Sequence, residues 1–323
     1  MTVGITYDLR DDYLKEGFGE EETAEFDRAD TIEAIENSLR NLGYQTERIG
    51  NIKSLVACLA SGKRWDMVFN ICEGLYGFGR EAVVPAILEA YRIPCTFSDS
   101  LVLALTLHKG YSKNVIRDSG IPTADFFIVE KESDADAMNL PYPVIAKPIA
   151  EGTGKGIDSA SKIDDSAQLR KVCAALLKKF AQPVLIEEFL PGREFTVSIC
   201  GTGDASRVLG VLEVTLNQDA DAEVYSYKNK EFCEDLVVYK LTDDQDARES
   251  AEVALRSWKA LCCRDSGRVD IRFDKNDVPN FIEVNPIAGL NPVHSDLPIT
   301  CTQAGISYQS LIEIIMKSAL SRI

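Results

Sequence analysis

Arg268-Val-Asp270-Ile-Arg-Phe273 and, after a short turn, Phe281-Ile-Glu283-Val-Asn285-Pro286 are the stretch on which the reading of this chain turns. Strand side chains alternate with a period of two, so a hairpin here sends Asp270, Glu283 and Asn285 to one face. Val269, Ile271 and Phe273 alternate with the charged positions, as do Ile282 and Val284. Two carboxylates and an amide oxygen on one sheet face make an all-oxygen site suited to Mg²⁺, an ion held by a few carboxylates together with substrate phosphates. The bland alternative is a surface hairpin with a wet acidic face, which alternation explains equally well.

The surrounding chain narrows the choice. At 323 residues it exceeds one typical domain. The formal charge of −16 argues against nonspecific nucleic-acid binding, which draws on basic surface. No apolar run reaches bilayer length, and Met1-Thr-Val-Gly-Ile-Thr-Tyr-Asp8 reads as a first strand, not as a leader. The nine cysteines are an odd count without metal-ligand spacing, since Cys262 and Cys263 are adjacent and no Cys-x-x-Cys occurs. Cys58, Cys72, Cys173 and Cys200 sit in apolar stretches and read as buried thiols of a reducing cytoplasm.

Three units are expected. Residues 1–108 alternate strands (Val3–Tyr7, Tyr44–Ile49, Asp66–Asn70) with helices (Thr31–Leu42 capped by Asp30, and Glu81–Tyr91), and end on a short strand over Ile93–Phe97. That alternation predicts a doubly wound, mostly parallel sheet, with ligands beyond the carboxyl ends of its strands. Residues 109–193 carry a helix around Ser112–Ser119, a strand over Val144–Lys147, a helix over Ser166–Phe180 and a strand over Val184–Glu188. Residues 194–323 begin with two neighbouring antiparallel strands, Glu194–Cys200 and Arg207–Val214. A polar loop over Tyr225–Glu231, a helix from about Asp246 to Cys262, the acidic hairpin and a terminal helix from Tyr308 follow.

A second chemical signal lies in the middle unit. The strand that presents Lys147 runs into Glu151-Gly152-Thr153-Gly154-Lys155-Gly156. Backbone N–H groups of such loops approach phosphate oxygens closely, and a lysine beside them adds a point charge. The spacing is not that of a Walker A loop. Downstream, Glu187-Glu188-Phe189-Leu190-Pro191-Gly192-Arg193-Glu194 leaves its sheet at Pro-Gly, and a strand edge offers free N–H and C=O groups to an adenine. Each signal has a plainer reading, a hairpin turn for the first and an interdomain linker for the second.

Taken in order, these segments resemble ATP-grasp ligases, and within them the D-alanine–D-alanine ligase family or a close relative. Lys109, Lys147 with its glycine-rich loop, Glu187 to Glu194, Arg268-Val-Asp270 and Glu283-Val-Asn285-Pro-Ile-Ala-Gly289 carry the resemblance. Asn70-Ile-Cys-Glu73-Gly74, Arg80 to Glu89, Ile93 to Asp99 and Gly120-Ile-Pro-Thr123 support it, so it covers nearly the whole chain.

The resemblance implies an α/β (α+β overall) ATP-grasp fold with an N-terminal doubly wound pre-ATP-grasp domain. It implies that Lys109 and Lys147 contact the nucleotide phosphates and that Glu151, Gly152, Thr153, Gly154 and Gly156 close over them. Glu187, Glu188, Phe189 and Leu190 would read adenine, and Glu194 would hold the ribose. Asp270, Glu283 and Asn285 would hold two Mg²⁺ ions, with Mn²⁺ as a substitute. Lys228 would reach the phosphates from a lid over Tyr225–Glu231. Arg268 and the Gly289 N–H would stabilise an oxyanion, and Ser295 would receive the second amino acid's carboxylate. The implied reaction joins two small amino acids, D-alanine or similar, through an acyl phosphate, as in peptidoglycan and cell-wall biosynthesis. A homodimer is implied by the same analogy.

The departures fall on the first-substrate side. The family's His-Gly turn reads Cys72-Glu73-Gly74, and its serine pair reads Thr153-Gly154. Glu22, Glu25 and Asp27 compete to bind the first ammonium. The chain's two histidines are His108, which reads as structural, and His294. These departures keep two other readings open: the same machinery serving another amino-acid pair or a specialised metabolite, and an ATP-binding regulatory module without turnover.

Overall fold

The protein, described by a computed structural model, is placed over residues 1–217 and 226–323, with the side chains of Lys228, Lys230, Cys233 and Glu234 outside the described set. Short apolar runs between polar turns form three sheets. The first is parallel, with order β2-β1-β3, from β1 (Thr2–Tyr7), β2 (Gln45–Gly50) and β3 (Met67–Ile71). Its central strand carries Val3 and Ile5, both fully buried. Gly4 lets that strand pass close to its neighbours, because a Cβ there would lie 2.5 Å from the Ile49 side chain.

The second sheet is antiparallel, with order β4-β7-β5-β6, from β4 (Phe126–Val129), β5 (Val144–Pro148), β6 (Lys162–Ile163) and β7 (Val184–Glu188). The helix Ser166–Phe180 covers one face with Leu169, Cys173 and Leu176. Asp165 caps it, accepting from the Ala167 and Gln168 N–H groups. The third sheet has order β10-β9-β8-β11-β12, from β8 (Glu194–Cys200), β9 (Arg207–Leu216), β10 (Val237–Leu241), β11 (Ser266–Phe273) and β12 (Pro279–Asn285). The helix Gln245–Ala260 seals its outer face with Val253, Ala254 and the fully buried Trp258, whose indole N–H donates to the Gly201 carbonyl at 3.1 Å.

The two chain ends share a core. Leu297 and Cys301 of the helix Asp296–Gln303, with Leu311, Ile312, Ile315 and Met316 of the helix Tyr308–Leu320, pack among Val3, Ile5 and Phe69 of the first sheet. Asp265, fully buried, reinforces that closure. Its carboxylate accepts from the Phe97 N–H at 2.7 Å, from Arg322 at 2.8 Å and from Ser318 at 2.8 Å.

Three local expectations need correction. Asp30 is not the N-cap of its helix; Arg28 holds that position in the helix Ala29–Asn41 without a side-chain capping bond, and Asp30 sits in the first turn, where a negative charge suits the helix dipole. Glu81–Tyr91 is not one helix. A 3₁₀ turn over Arg80–Ala82 precedes the α-helix Val83–Ala90, whose Pro85 is tolerated in the first turn because it has no N–H to leave unpaired. Ile93–Phe97 does not form a strand. It contributes a single bridge at Cys95, because Phe97 turns to φ 69° and gives its N–H to Asp265 instead of the ladder. The strand Phe126–Val129 and the helices Arg10–Glu16, Ile52–Ala60 and Asp296–Gln303 were not read from the sequence.

Removing Asp265 leaves Arg322 and the Phe97 N–H without their buried acceptor. Asp265→Ala is expected to lower the unfolding free energy by about 3 kcal/mol in a urea titration; a loss below about 1 kcal/mol would show the junction to be dispensable.

Candidate active site

The hairpin of β11 and β12 places four polar side chains on one face. Asp270 lies directly opposite Glu283, and Arg268 opposite Asn285. A bulge follows, because Ile271 pairs with Phe281 and leaves Ile282 as the extra residue. Asp270 accepts from Thr196 at 2.5 Å and from Arg268 at 2.9 Å. Arg268 also pairs with Asp296 at 3.0 Å. Among the described residues no three His, Cys, Asp or Glu side chains form a metal cluster. The donor set is therefore two carboxylates and the Asn285 amide, whose buried Nδ2 has no hydrogen-bond partner. That oxygen chemistry fits a hard cation that keeps positions for phosphate oxygens.

Lysines converge on this face from the second unit. Lys109 opens the helix Lys109–Asp118, gives a hydrogen bond to the Glu151 carbonyl and lies 3.4 Å from Glu283. Lys147, at the end of β5, pairs with Glu187. Glu187 also pairs with Lys113 at 2.6 Å, and all three groups are buried. Burial pushes the Glu187 carboxyl up, but the two ammonium groups outweigh it and hold the carboxyl below its usual range. Burial pulls the Lys113 ammonium down.

Two cavities meet at Glu283. The smaller, about 70 Å³, lies between the second and third sheets. Lys147, Glu187, Glu188, Phe189, Leu190 and Glu194 line one side of it, and Asp270 and Ile282 the other. Glu194 pairs there with Arg272 at 3.2 Å, and the Arg272 guanidinium lies 5.1 Å from the Phe189 ring centre. The Glu188 N–H donates to the Asp125 carbonyl at 3.0 Å. The larger cavity, about 240 Å³, lies against the first unit, and Lys109, Arg268, Asn285, Gly289 and Ser295 are on its wall. Ser295 accepts from the Asn291 N–H at 3.0 Å and packs so close to Gly289 that a Cβ there would lie 2.7 Å from its oxygen.

Glu151, Gly152 and Thr153 of the glycine-rich loop line the larger cavity. Gly154 and Gly156 do not; they are packing positions. A Cβ on Gly154 would meet the Tyr227 nitrogen at 2.8 Å, and one on Gly156 would meet Pro148 at 2.6 Å. The short helix Tyr227–Glu231 lies over the loop, with the Tyr227 N–H donating to the Ile157 carbonyl at 3.2 Å. Glu231 pairs with Arg10 of the first unit at 3.2 Å. Tyr225 and the Lys228 side chain lie outside the described residues. His108 is structural: its Nδ1 caps the helix at Lys109, and its ring stacks on Tyr111 at 3.9 Å.

Sequence reading assigned no role to Lys113, Lys155, Arg10 and Arg80. Lys113 had a signal, because Lys109 and Lys113 stand at i and i+4 on one helix and therefore share a face. Lys155 stood unremarked between two glycines. Arg10 and Arg80 had none, since their partners come from distant segments.

Comparison with known proteins finds relatives along most of the chain. Residues 115–317 match the family described as D-ala D-ala ligase C-terminus. The chain is 31% identical over 292 residues to the D-alanine–D-alanine ligase of Aquifex aeolicus, covering 88% of this chain and 93% of that protein. It is also 31% identical over 309 residues to the uncharacterized protein y4sG of Sinorhizobium fredii, covering 91% of this chain and 88% of the other. The structure of D-alanine–D-alanine ligase from Bacillus anthracis complexed with ATP superposes with a TM-score of 0.74 at 21% identity, covering 100% of this chain and 98% of that one.

Lys113 shares the neutralisation of Glu187 with Lys147. Lys113→Met is expected to cost about 3 kcal/mol of stability in chemical denaturation, the scale for breaking one side of a buried ion pair; an unchanged midpoint would mean that Lys147 alone suffices.

Proposed function

We propose, for a chain that belongs to the D-alanine–D-alanine ligase family of ATP-dependent ligases, that it activates one amino acid as an acyl phosphate and joins it to the amine of a second, releasing ADP and phosphate. Its fold is the ATP-grasp fold. The observation that carries the reading is the convergence of Asp270, Glu283 and Asn285 with Lys109 and Lys147 around two cavities that meet at Glu283.

A carboxylate is a poor acceptor for an amine, so phosphorylation comes first. Phosphoryl transfer needs charge neutralisation and in-line positioning more than covalent help. Lys109 and Lys147 are proposed to hold the phosphates, under the loop from Glu151 to Gly156. The Glu188 carbonyl and the Leu190 N–H are proposed to read the adenine edge, with Phe189 and Ile282 lining its slot and Glu194 on the ribose. Glu187 serves both lysines by fixing their charge and position. Asp270, Glu283 and Asn285 are proposed to bind Mg²⁺, which when bound neutralises charge on the transferring phosphate. In the second half of the reaction an oxyanion develops at the attacked carbonyl, and Arg268 and the Gly289 N–H are proposed to receive it. Each such donor contributes about 2.7–4 kcal/mol in other oxyanion holes. Ser295 is proposed to take the acceptor's carboxylate, and Lys228 to close the phosphate site. The lid excludes water from a labile intermediate.

The pair most consistent with the family is D-alanine with D-alanine, for cell-wall biosynthesis. Glu73 in place of a substrate-side histidine supports a second reading, a different amino-acid pair. A homodimer and a cytoplasmic setting are carried as part of this proposal. Among the described residues no helix is long and apolar enough to cross a membrane.

Phosphate release measured across pairs of D- and L-amino acids, with the product mass, tests the reading; ATP binding without ADP formation on any pair would sink it in favour of a regulatory module. Glu283→Gln is expected to lower turnover at least about a hundredfold, and near-normal activity would contradict the metal assignment. Lys147→Ala is expected to raise the apparent KM for ATP; an unchanged value would remove Lys147 from the phosphate site.

A further inference from the structure

One charged side chain of the smaller cavity takes no part in the reaction proposed above. Arg272 is half-buried on β11 and lines that cavity together with Lys147, Glu194 and Asp270. Arg268, Asp270 and Arg272 alternate along one strand face, each about 7 Å from the next. The Arg268 end of the row faces the larger cavity, and the Arg272 end faces the smaller one. A guanidinium keeps its charge in a protein, so a half-buried one has to be paired.

Strand register supplies the partner. Arg272 stands directly opposite Glu194 of β8. The two groups meet at 3.2 Å, with side-chain exposures of 16% and 21%, so little water competes for the pair. The same guanidinium lies 5.1 Å from the Phe189 ring centre. Lys162 of β6 lies 4.6 Å from that ring but is not on the cavity wall. The Phe189 N–H donates to the Pro143 carbonyl at 3.1 Å, which ties this residue to the second unit. Arg272 therefore reaches from the third sheet to an aromatic ring of the second unit, across the slot between them.

The rest of the slot shows what that contact does. Ile282 and Glu283 are adjacent in sequence, yet both line the cavity, because the bulge on β12 turns the extra residue to the same side. Phe189, Leu190 and Ile282 make an apolar end, and Lys147, Asp270 and Glu283 make a charged end. Glu194 and Arg272 complete the wall. A carboxylate that is to accept from two neighbouring hydroxyls binds best when its rotamer is fixed before the ligand arrives. The opposing guanidinium fixes it, and a carboxylate has about four lone-pair sites, so one such partner leaves room for two hydroxyl donors. A guanidinium is also planar and stacks on aromatic rings, which an ammonium group does not do.

We propose that Arg272 is a positioning residue for the nucleotide, holding the Glu194 carboxylate ready for a ribose diol and presenting a flat cationic face, beside Phe189, to the base. The proposal rests on the nucleotide half of the ligase reading above. It makes the preference for a ribonucleotide depend on a residue of β11 that stands opposite the ribose carboxylate. An ion pair that served the sheet alone would affect every nucleotide alike.

The test is equilibrium binding of ATP and of 2′-deoxyATP, each with Mg²⁺, to the full-length protein. Wild-type protein is expected to prefer ATP by about tenfold or more, the scale of one hydrogen bond to a charged acceptor. Arg272→Met is expected to weaken ATP by about fivefold or more while 2′-deoxyATP changes by less than about twofold, so that most of the preference is lost. Glu194→Gln should do the same, and adding Arg272→Met to it should cost less than about a further twofold, because the two residues act as a unit. Arg272→Lys keeps the charge opposite Glu194 without the flat face, so it should weaken both nucleotides alike and retain the preference, and it serves if Arg272→Met folds poorly. An unchanged preference in Arg272→Met, or full additivity in the double variant, would overturn the assignment and leave the ligase reading intact. Absence of ATP binding by wild-type protein would overturn the ligase reading and this assignment together.

Discussion

A carboxylate buried between two sheets has to be paired, and that requirement organises the centre of this protein. Glu187 projects from the second sheet into a space closed by the third. It stays ionised there because Lys113 and Lys147 flank it. The cost of removing three charged groups from water is offset only when the geometry brings them into contact. That contact fixes where both lysines end, and so fixes the floor on which a phosphate would rest. The adjoining hairpin face carries its own constraint. Asp270 and Glu283 are cross-strand neighbours of like charge, and they are balanced by Arg268 and Lys109.

The same logic extends outward to the loop. Glu25, Arg80 and Lys155, all buried, and the half-buried Glu151 form an alternation of charges that ties the glycine-rich segment to the first unit. The helix Tyr227–Glu231 then lies on the loop and is pinned by Arg10. A shared core lies beneath the site, where C-terminal helices complete the packing of an N-terminal sheet. The parts that would grip ATP and the parts that would hold an amino acid are therefore not independent. They meet at Glu283, which lines both cavities.

Legibility in the sequence followed the range of the forces involved. Ser166–Phe180 and Val184–Glu188 were read to the residue, because a helical apolar stripe and an apolar strand are local signals. The acidic hairpin was legible for the same reason, since alternation with period two assigns faces without knowledge of the partner. The bulge at Ile282 was not legible, because it depends on how the two strands pair. Ile93–Phe97 looked like a strand by composition. Its backbone was captured by Asp265, a residue 168 positions away from Phe97.

The sequence alone determined the strand faces that carry Asp270, Glu283 and Asn285, and the kind of loop that follows Lys147. These depend on periodicities and backbone preferences acting within a few residues. Only the tertiary structure decided which acid of the run Glu22, Glu25 and Asp27 is consumed by basic partners and which faces the cavity without one. The run reads the same on paper at each acid, but burial beside Arg80 and Lys155 makes one of them a structural anion. Charge pairing in a low-dielectric interior is set by distances between remote segments, and those distances exist only after the sheets have packed.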